Sequence, residues 1–189
     1  SPINKKLIPK PVIKNISVMT DKDLNQIFEK TKSNDRTFFR YLKLLSLTGA
    51  RPGDILRLKF SDIDMRTGVI RIAISKTQRD IDFPIYDELK TFIESEIKDI
   101  NDSSNDKIFK EFKSHTLGRK FARLKKVLNL KSEFNLKTFR KTFATKLINS
   151  RVDGAIVAHL LGHTSVNTTS KYYIKKNTSS IKNILNEVS

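Results

Sequence analysis

At 189 residues, 38% of them hydrophobic and 12 of them Phe, the chain can bury one substantial core, which excludes wholesale disorder. Lys and Arg number 37 against 20 Asp and Glu, and the net charge of +17 calls for a polyanionic partner, either nucleic acid or an anionic membrane surface. The absence of cysteine removes disulfides, thiolate metal sites and cysteine nucleophiles together, and no apolar run approaches the roughly 20 residues that span a bilayer.

Three His supply a zinc site poorly, so no metal and no other cofactor is expected. No signal-peptide pattern opens the chain, and the expected compartment is cytoplasmic. Charge is unevenly spread. Residues 1–79 carry 17 basic and 7 acidic side chains, residues 80–105 carry 2 against 8, residues 106–131 carry 9 against 2, and residues 132–189 carry 9 against 3. An acidic island between basic blocks predicts a shaped binding surface rather than a basic tail.

Residues 1–17, with Pro2, Pro9, Pro11 and four Lys, read as a linker, and the Ser1-Pro2 start suggests one domain of a longer protein. Thr20 with Asp23 three residues on is a capping-box start for a helix to about Lys32. A second helix, about Asp35–Leu47, puts Phe38, Leu42 and Leu45 on one stripe and stops near Gly49. Pro52 suits the first turn of a short third helix. Apolar residues alternate over Val69–Ile74 and again at Ile81, Phe83 and Ile85, predicting a β-hairpin turning at residues 76–79. A helix over about Tyr86–Lys98 and a polar loop at residues 101–105 follow.

From Ser114 the pattern is helical. Leu117, Phe121, Leu124 and Leu128 form an apolar stripe, with Arg119, Lys120, Arg123 and Lys126 opposite. Further helices are predicted at about Leu136–Ser150, Asp153–Leu161, Asn167–Ile174 and Ser179–Val188. The expected fold class is mainly α with a small antiparallel β-sheet.

Four stretches present cations or nucleophiles that structure alone does not ask for. In Thr48-Gly49-Ala50-Arg51-Pro52-Gly53-Asp54, a Gly-flanked Arg between helices can aim into a cleft, with Asp54 one turn on to hold it. A surface Arg at a helix junction reads equally well. Lys76 lies in the hairpin turn, where a lysine is ordinarily just solvated. Lys137, Arg140 and Lys141 share one helix face while Phe139, Phe143 and Leu147 line the other; three like charges on one turn suit a phosphate, or form a solvated face. In His159-Leu160-Leu161-Gly162-His163, Gly162 ends a helix and leaves His163 to face a ligand or to serve structure; Tyr172 and Tyr173 follow.

In chain order these stretches read TGARPGD, ISKT, KTFRKTFAT and LLGHTSVNTTSKYY, and the chain from about Thr20 to Ser189 resembles the tyrosine recombinases, the phage-integrase-like enzymes. That resemblance implies the catalytic-domain fold of the family and a catalytic set of Arg51, Lys76, Arg140, His163 and Tyr172, the last nine residues beyond His163. Tyr173 falls one position late and is assigned to packing or positioning. Lys137 stands where the family usually has His, and Lys141 replaces a common second His. Lysine donates to a phosphate oxygen but shuttles protons less readily near neutral pH.

The resemblance further implies DNA cleavage and rejoining through a covalent 3′-phosphotyrosine, with no metal, ATP or small-molecule substrate. Arg51 and Arg140 would clamp the phosphate, Lys76 would protonate the leaving oxygen, His163 and Lys137 would hydrogen-bond the phosphate, and Asp54 would orient Arg51. Arg119, Lys120, Arg123, Lys126 and Lys141 are the expected DNA contacts. The expected partners are specific double-stranded DNA sites and further copies of the protein, as a tetramer on paired sites, with no membrane. Residues 18–176 would form the catalytic domain, and residues 177–189 a C-terminal helix docking in cis or in trans. Two other readings remain at this point: relaxation of supercoils in the manner of a type IB topoisomerase, and a non-catalytic DNA-binding module of the same fold.

Overall fold

The computed structural model describes residues 17–75, 79–97, 106–163 and 178–189. Helix α1 (Asp21–Asn34) starts at the predicted capping box: the Thr20 side chain accepts from Asp23 N, and the Asp23 carboxylate accepts from Thr20 N. Asp35 ends it and caps α2 (Arg36–Thr48) by accepting from Phe38 N at 3.0 Å. Helix α2 buries residues on most of its circumference, Phe38, Phe39, Tyr41, Leu42, Leu44, Leu45 and Leu47 among them. It is therefore the central rod on which α1 and α6 pack. Pro52 opens the short α3 (Pro52–Leu56) as expected.

The sheet has three antiparallel strands in the order β1-β2-β3: β1 (Ile63–Asp64), β2 (Val69–Ile74) and β3 (Arg79–Pro84). The sequence pattern missed β1 because two residues carry no alternation to read. Ile72 faces Ile81 and Ile70 faces Phe83, so the alternating side chains of the hairpin share the core face. Helix α4 (Asp87–Phe92) passes into a π-helical turn (Ile93–Ile97), where one continuous α-helix was expected. Helices α5 (Ser114–Val127), α6 (Leu136–Asn149), α7 (Gly154–Leu160) and α8 (Thr178–Val188) complete the described residues. The predicted helix Asn167–Ile174 and the loop at residues 101–105 lie outside them.

Edge-to-face aromatic pairs tie the core together: Phe39 meets Phe28 and Phe92, and Tyr41 meets Phe109 and Phe112. Helix α8 lies back on its own chain. It buries Ile181 and Leu185, Asn186 Oδ1 accepts from Asp87 N at 2.8 Å, and Lys182 pairs with Asp87 at 3.6 Å. Among the described residues no helix is long and apolar enough to cross a membrane.

The π-helical turn delivers Glu96 into the core beside α2. There it pairs with Arg36 at 2.9 Å, Arg40 at 3.5 Å and Lys32 at 3.8 Å. Burial alone raises its pKa, but the Arg36 hydrogen bond and the charges of Arg36, Lys32 and Arg40 outweigh that and bring it below its ordinary 4.5. A carboxylate whose pKa is lowered on folding stabilises fully above its unfolded value, and that contribution is lost as pH falls through the folded one. Glu96→Gln is expected to cost about 2 kcal/mol at pH 7, because two of its three partners are solvent-screened. Urea titrations on either side of pH 4.5 check this: the gap between wild type and variant narrows on the acid side.

Candidate functional site

Five sequence-predicted residues meet in one open cleft of about 730 Å³: Arg51, Lys137, Arg140, Lys141 and His163, with Asp54 on its wall. They arrive from three places in the chain. Arg51 is the extended N-cap of α3, held there by the turn that leaves α2. That turn is pinned on both sides by buried tyrosines: Tyr86 Oη donates to Leu47 O at 3.0 Å and Tyr41 Oη donates to Pro52 O at 2.9 Å.

Gly49 is where the turn becomes specific to glycine. It sits at φ +61°, and a Cβ there would lie 2.3 Å from Phe143 Cδ1. Phe143 is buried on α6. Gly49→Ala is expected to destabilise by about 3 kcal/mol or more, combining left-handed strain with overpacking. The check is the urea midpoint, which should fall at an unchanged slope.

Helix α6 starts at Asn135, which accepts from Lys137 N at 2.9 Å. Its turns then place Lys137, Arg140, Lys141 and Ala144 along the cleft, the i, i+3, i+4, i+7 face. Lys137 and Lys141 are exposed; Arg140 is half-buried. The guanidinium of Arg140 donates from Nη1 to Gly49 O at 3.0 Å and from Nη2 to Leu161 O at 2.6 Å. It thus bridges the carbonyl ends of α2 and α7, where backbone acceptors lack helical partners and the helix dipoles favour a cation.

Backbone bonds position His163 among the described residues. Gly162, at φ +65°, donates to His159 O at 2.8 Å, and His163 N donates to Ala158 O at 2.9 Å. These two bonds are the Schellman pattern that ends a helix with a left-handed glycine. A Cβ on Gly162 would meet Ile81 Cδ1 at 2.7 Å, so the end of α7 lies tight against the hairpin.

Charge in the cleft is crowded. Burial first, then the neighbouring Arg51, pulls the Arg140 pKa down to about 10, with Asp54 acting the other way, and the group stays cationic at neutral pH. Burial, then Arg140 and Arg51, pulls His163 below its ordinary 6.5, which favours the neutral imidazole. Two arginines and two lysines around a neutral histidine form a site shaped for an anion.

Asp54 pairs with more than the expected Arg51. It stands 3.8 Å from Arg51 Nη1, whereas Arg57 Nη2 reaches it at 2.5 Å and Ser75 Oγ donates to it at 3.1 Å. Arg57 and Ser75 share Oδ1, while Oδ2 keeps the ion pair with Arg51 that the sequence suggested. Ser75 and Ser114 also line the cleft and were not singled out from the sequence; only their places beside Lys76 and at the start of a basic helix could have marked them.

Lys76, Tyr172 and Tyr173 lie outside the described residues. On α5, Arg119, Arg123 and Lys126 are exposed. Lys120 departs from that group: it pairs with Asp35 and lies over the rings of Phe38 and Phe112. Its position, three residues from both Leu117 and Arg123, puts it at the edge of the apolar stripe rather than opposite it.

A model of the phage integrase family matches residues 17–179. Over 153 residues the chain is 28% identical to a tyrosine recombinase of Pseudothermotoga lettingae, covering 79% of this chain and 53% of that protein. It is 26% identical to a lambda integrase solved as a tetramer bound to a Holliday junction, covering 80% of this chain and 48% of that one, with a TM-score of 0.65. The lambda integrase catalytic core superposes with a TM-score of 0.64 at 24% identity, covering 78% of this chain and 95% of that one, a likeness of fold. The chain spans about half the length of the curated relatives it matches.

Proposed function

The chain belongs to the phage integrase family, and from that premise we propose that it is the catalytic part of a site-specific DNA recombinase that cuts and rejoins strands through a 3′-phosphotyrosine. The observation that carries this reading is the convergence of Arg51, Arg140, Lys137, Lys141 and His163 from separate elements on one cleft. A phosphodiester in that cleft places one negative charge among four cations. Its pentavalent transition state gathers more charge on the non-bridging oxygens, so fixed cations favour the transition state over the ground state. The two arginines thereby supply the charge neutralisation that metal ions supply in other strand-cutting sites.

In the proposed step, the Tyr172 oxygen bonds to phosphorus while the bond from phosphorus to the 5′ oxygen breaks. The leaving 5′ oxygen takes a proton from Lys76, and the phenolic proton passes to His163, the neutral base of the cleft. Lys137 and Lys141 hold non-bridging oxygens. The phosphotyrosine conserves the energy of the broken bond, so the 5′-hydroxyl of a second strand can reverse the step. Recombinase and integrase names among the relatives favour strand exchange over supercoil relaxation.

The partners of this reading are double-stranded DNA and further copies of the protein on paired sites, in keeping with the lambda integrase tetramer on a Holliday junction. Exposed Arg119, Arg123 and Lys126 on α5 are the proposed groove-facing contacts. Residues 18–176 are the proposed catalytic unit, with 177–189 as a docking helix. Nicked suicide duplexes carrying the DNA that flanks the gene test the reading. Cleavage on such a substrate loses the short product and traps an SDS-resistant protein–DNA band. Salt-sensitive binding with no band would instead indicate a non-catalytic module.

A further inference from the structure

The cations of α5 divide into two sets. Arg119, Arg123 and Lys126 are exposed, whereas Lys120 and Lys125 are half-buried and turned to the protein. Lys125 Nζ donates to the carbonyls of Ser132 and Phe134, just ahead of α6. Lys120 Nζ pairs with Asp35 Oδ2 and lies 5.6 Å and 5.5 Å from the ring centroids of Phe38 and Phe112, which meet edge to face. Asp35 is itself fixed, because its other oxygen caps α2 through Phe38 N. On a helix of 3.6 residues per turn the two lysines stand about 140° apart, on either side of the stripe of Leu117, Phe121 and Leu124. One edge of α5 is thus tied towards α6 and the other to the junction of α1 and α2. Together the two ties set the roll of the helix about its axis.

We propose that Lys120 is a positioning residue for DNA recognition: held by Asp35 and the two rings, it fixes the roll of α5 and so aims Arg119, Arg123 and Lys126, without touching phosphate itself. The inference rests on α5 facing a DNA groove. A roll of about 20° carries a side-chain tip, about 5–6 Å from the axis, through about 2 Å. Base-edge hydrogen bonds do not tolerate that displacement, whereas attraction to the phosphate backbone does. Losing the Lys120 tie therefore lowers discrimination between sequences more than it lowers affinity for DNA in general.

The test measures equilibrium binding of the full-length protein to the gene-flanking duplex and to an unrelated duplex of equal length, over a range of salt. Asp35→Asn keeps an oxygen to cap α2 and removes the charge that holds Lys120. By net charge alone it would bind any DNA more tightly. Instead the flanking duplex is expected to bind about fivefold more weakly, and the unrelated duplex no more weakly than to wild type. Lys120→Met should match it on the flanking duplex, with an unchanged salt slope on the unrelated one. The double variant should be no worse than either single one, and Lys120→Arg should restore binding.

Tighter binding of Asp35→Asn to both duplexes would make Lys120 a phosphate contact held in reserve and overturn the proposal. Equal weakening on both would show a merely structural role and do the same, as would a salt slope about one unit shallower in Lys120→Met. Arg123→Ala separates the two layers. If it weakens binding to the flanking duplex while Asp35→Asn does not, the α5 reading stands and the Lys120 inference falls. If it changes binding to neither duplex, the α5 reading falls and takes the inference with it.

Discussion

Tyr172→Phe is expected to abolish the covalent protein–DNA product, while Tyr173→Phe leaves it intact. Phenylalanine keeps the ring and removes only the oxygen that bonds to phosphorus, so the loss is total rather than graded. The assignment rests on spacing: Tyr172 lies nine residues past His163, and His163 is anchored at the cleft by the Schellman bonds that end α7. DNA binding should survive, because the cationic cleft and the exposed face of α5 do not involve the phenol. Gel retardation beside SDS-resistant trapping separates the two effects. A band lost only in Tyr173→Phe would move the nucleophile one position and leave the rest of the site standing.

Arg140→Ala is expected to slow cleavage by about 10²–10³-fold, the usual cost of removing one fixed donor to a developing oxyanion. It should also lower stability by about 2 kcal/mol, since the carbonyls of Gly49 and Leu161 each lose a charged partner. Arg140→Lys separates charge from shape. An ammonium is a point donor and cannot span both carbonyls while also facing the cleft. The lysine variant should therefore lose nearly as much rate as alanine, measured in single-turnover cleavage, with urea unfolding run in parallel. Near-wild-type rates in Arg140→Lys would mean that charge alone is needed there.

These predictions draw unequally on sequence and structure. The start of α1 at Thr20, the left-handed stop at Gly49, the first-turn proline of α3 and the alternation of β2 are all written in neighbouring residues. Each depends on contacts within a few positions, so local chemistry is enough to read them. The family resemblance likewise groups Arg51, Arg140, His163 and Lys137 from three separate motifs, and the cleft contains all four.

Other features depend on which distant residues become neighbours. No local pattern says that Arg140 will spend two donors on the carbonyl ends of α2 and α7, or that Lys120 will turn to Asp35, 85 positions away. The same holds for Glu96, buried among three cations of α1 and α2. Asp54 is the sharpest case: spacing allows both Arg51 and Arg57 to reach it, both pair with it, and the packing of α3 against β2 adds Ser75 and brings Arg57 closer than Arg51. A charged side chain settles where burial and competing partners leave it the lowest energy, and that competition exists only once the chain has folded.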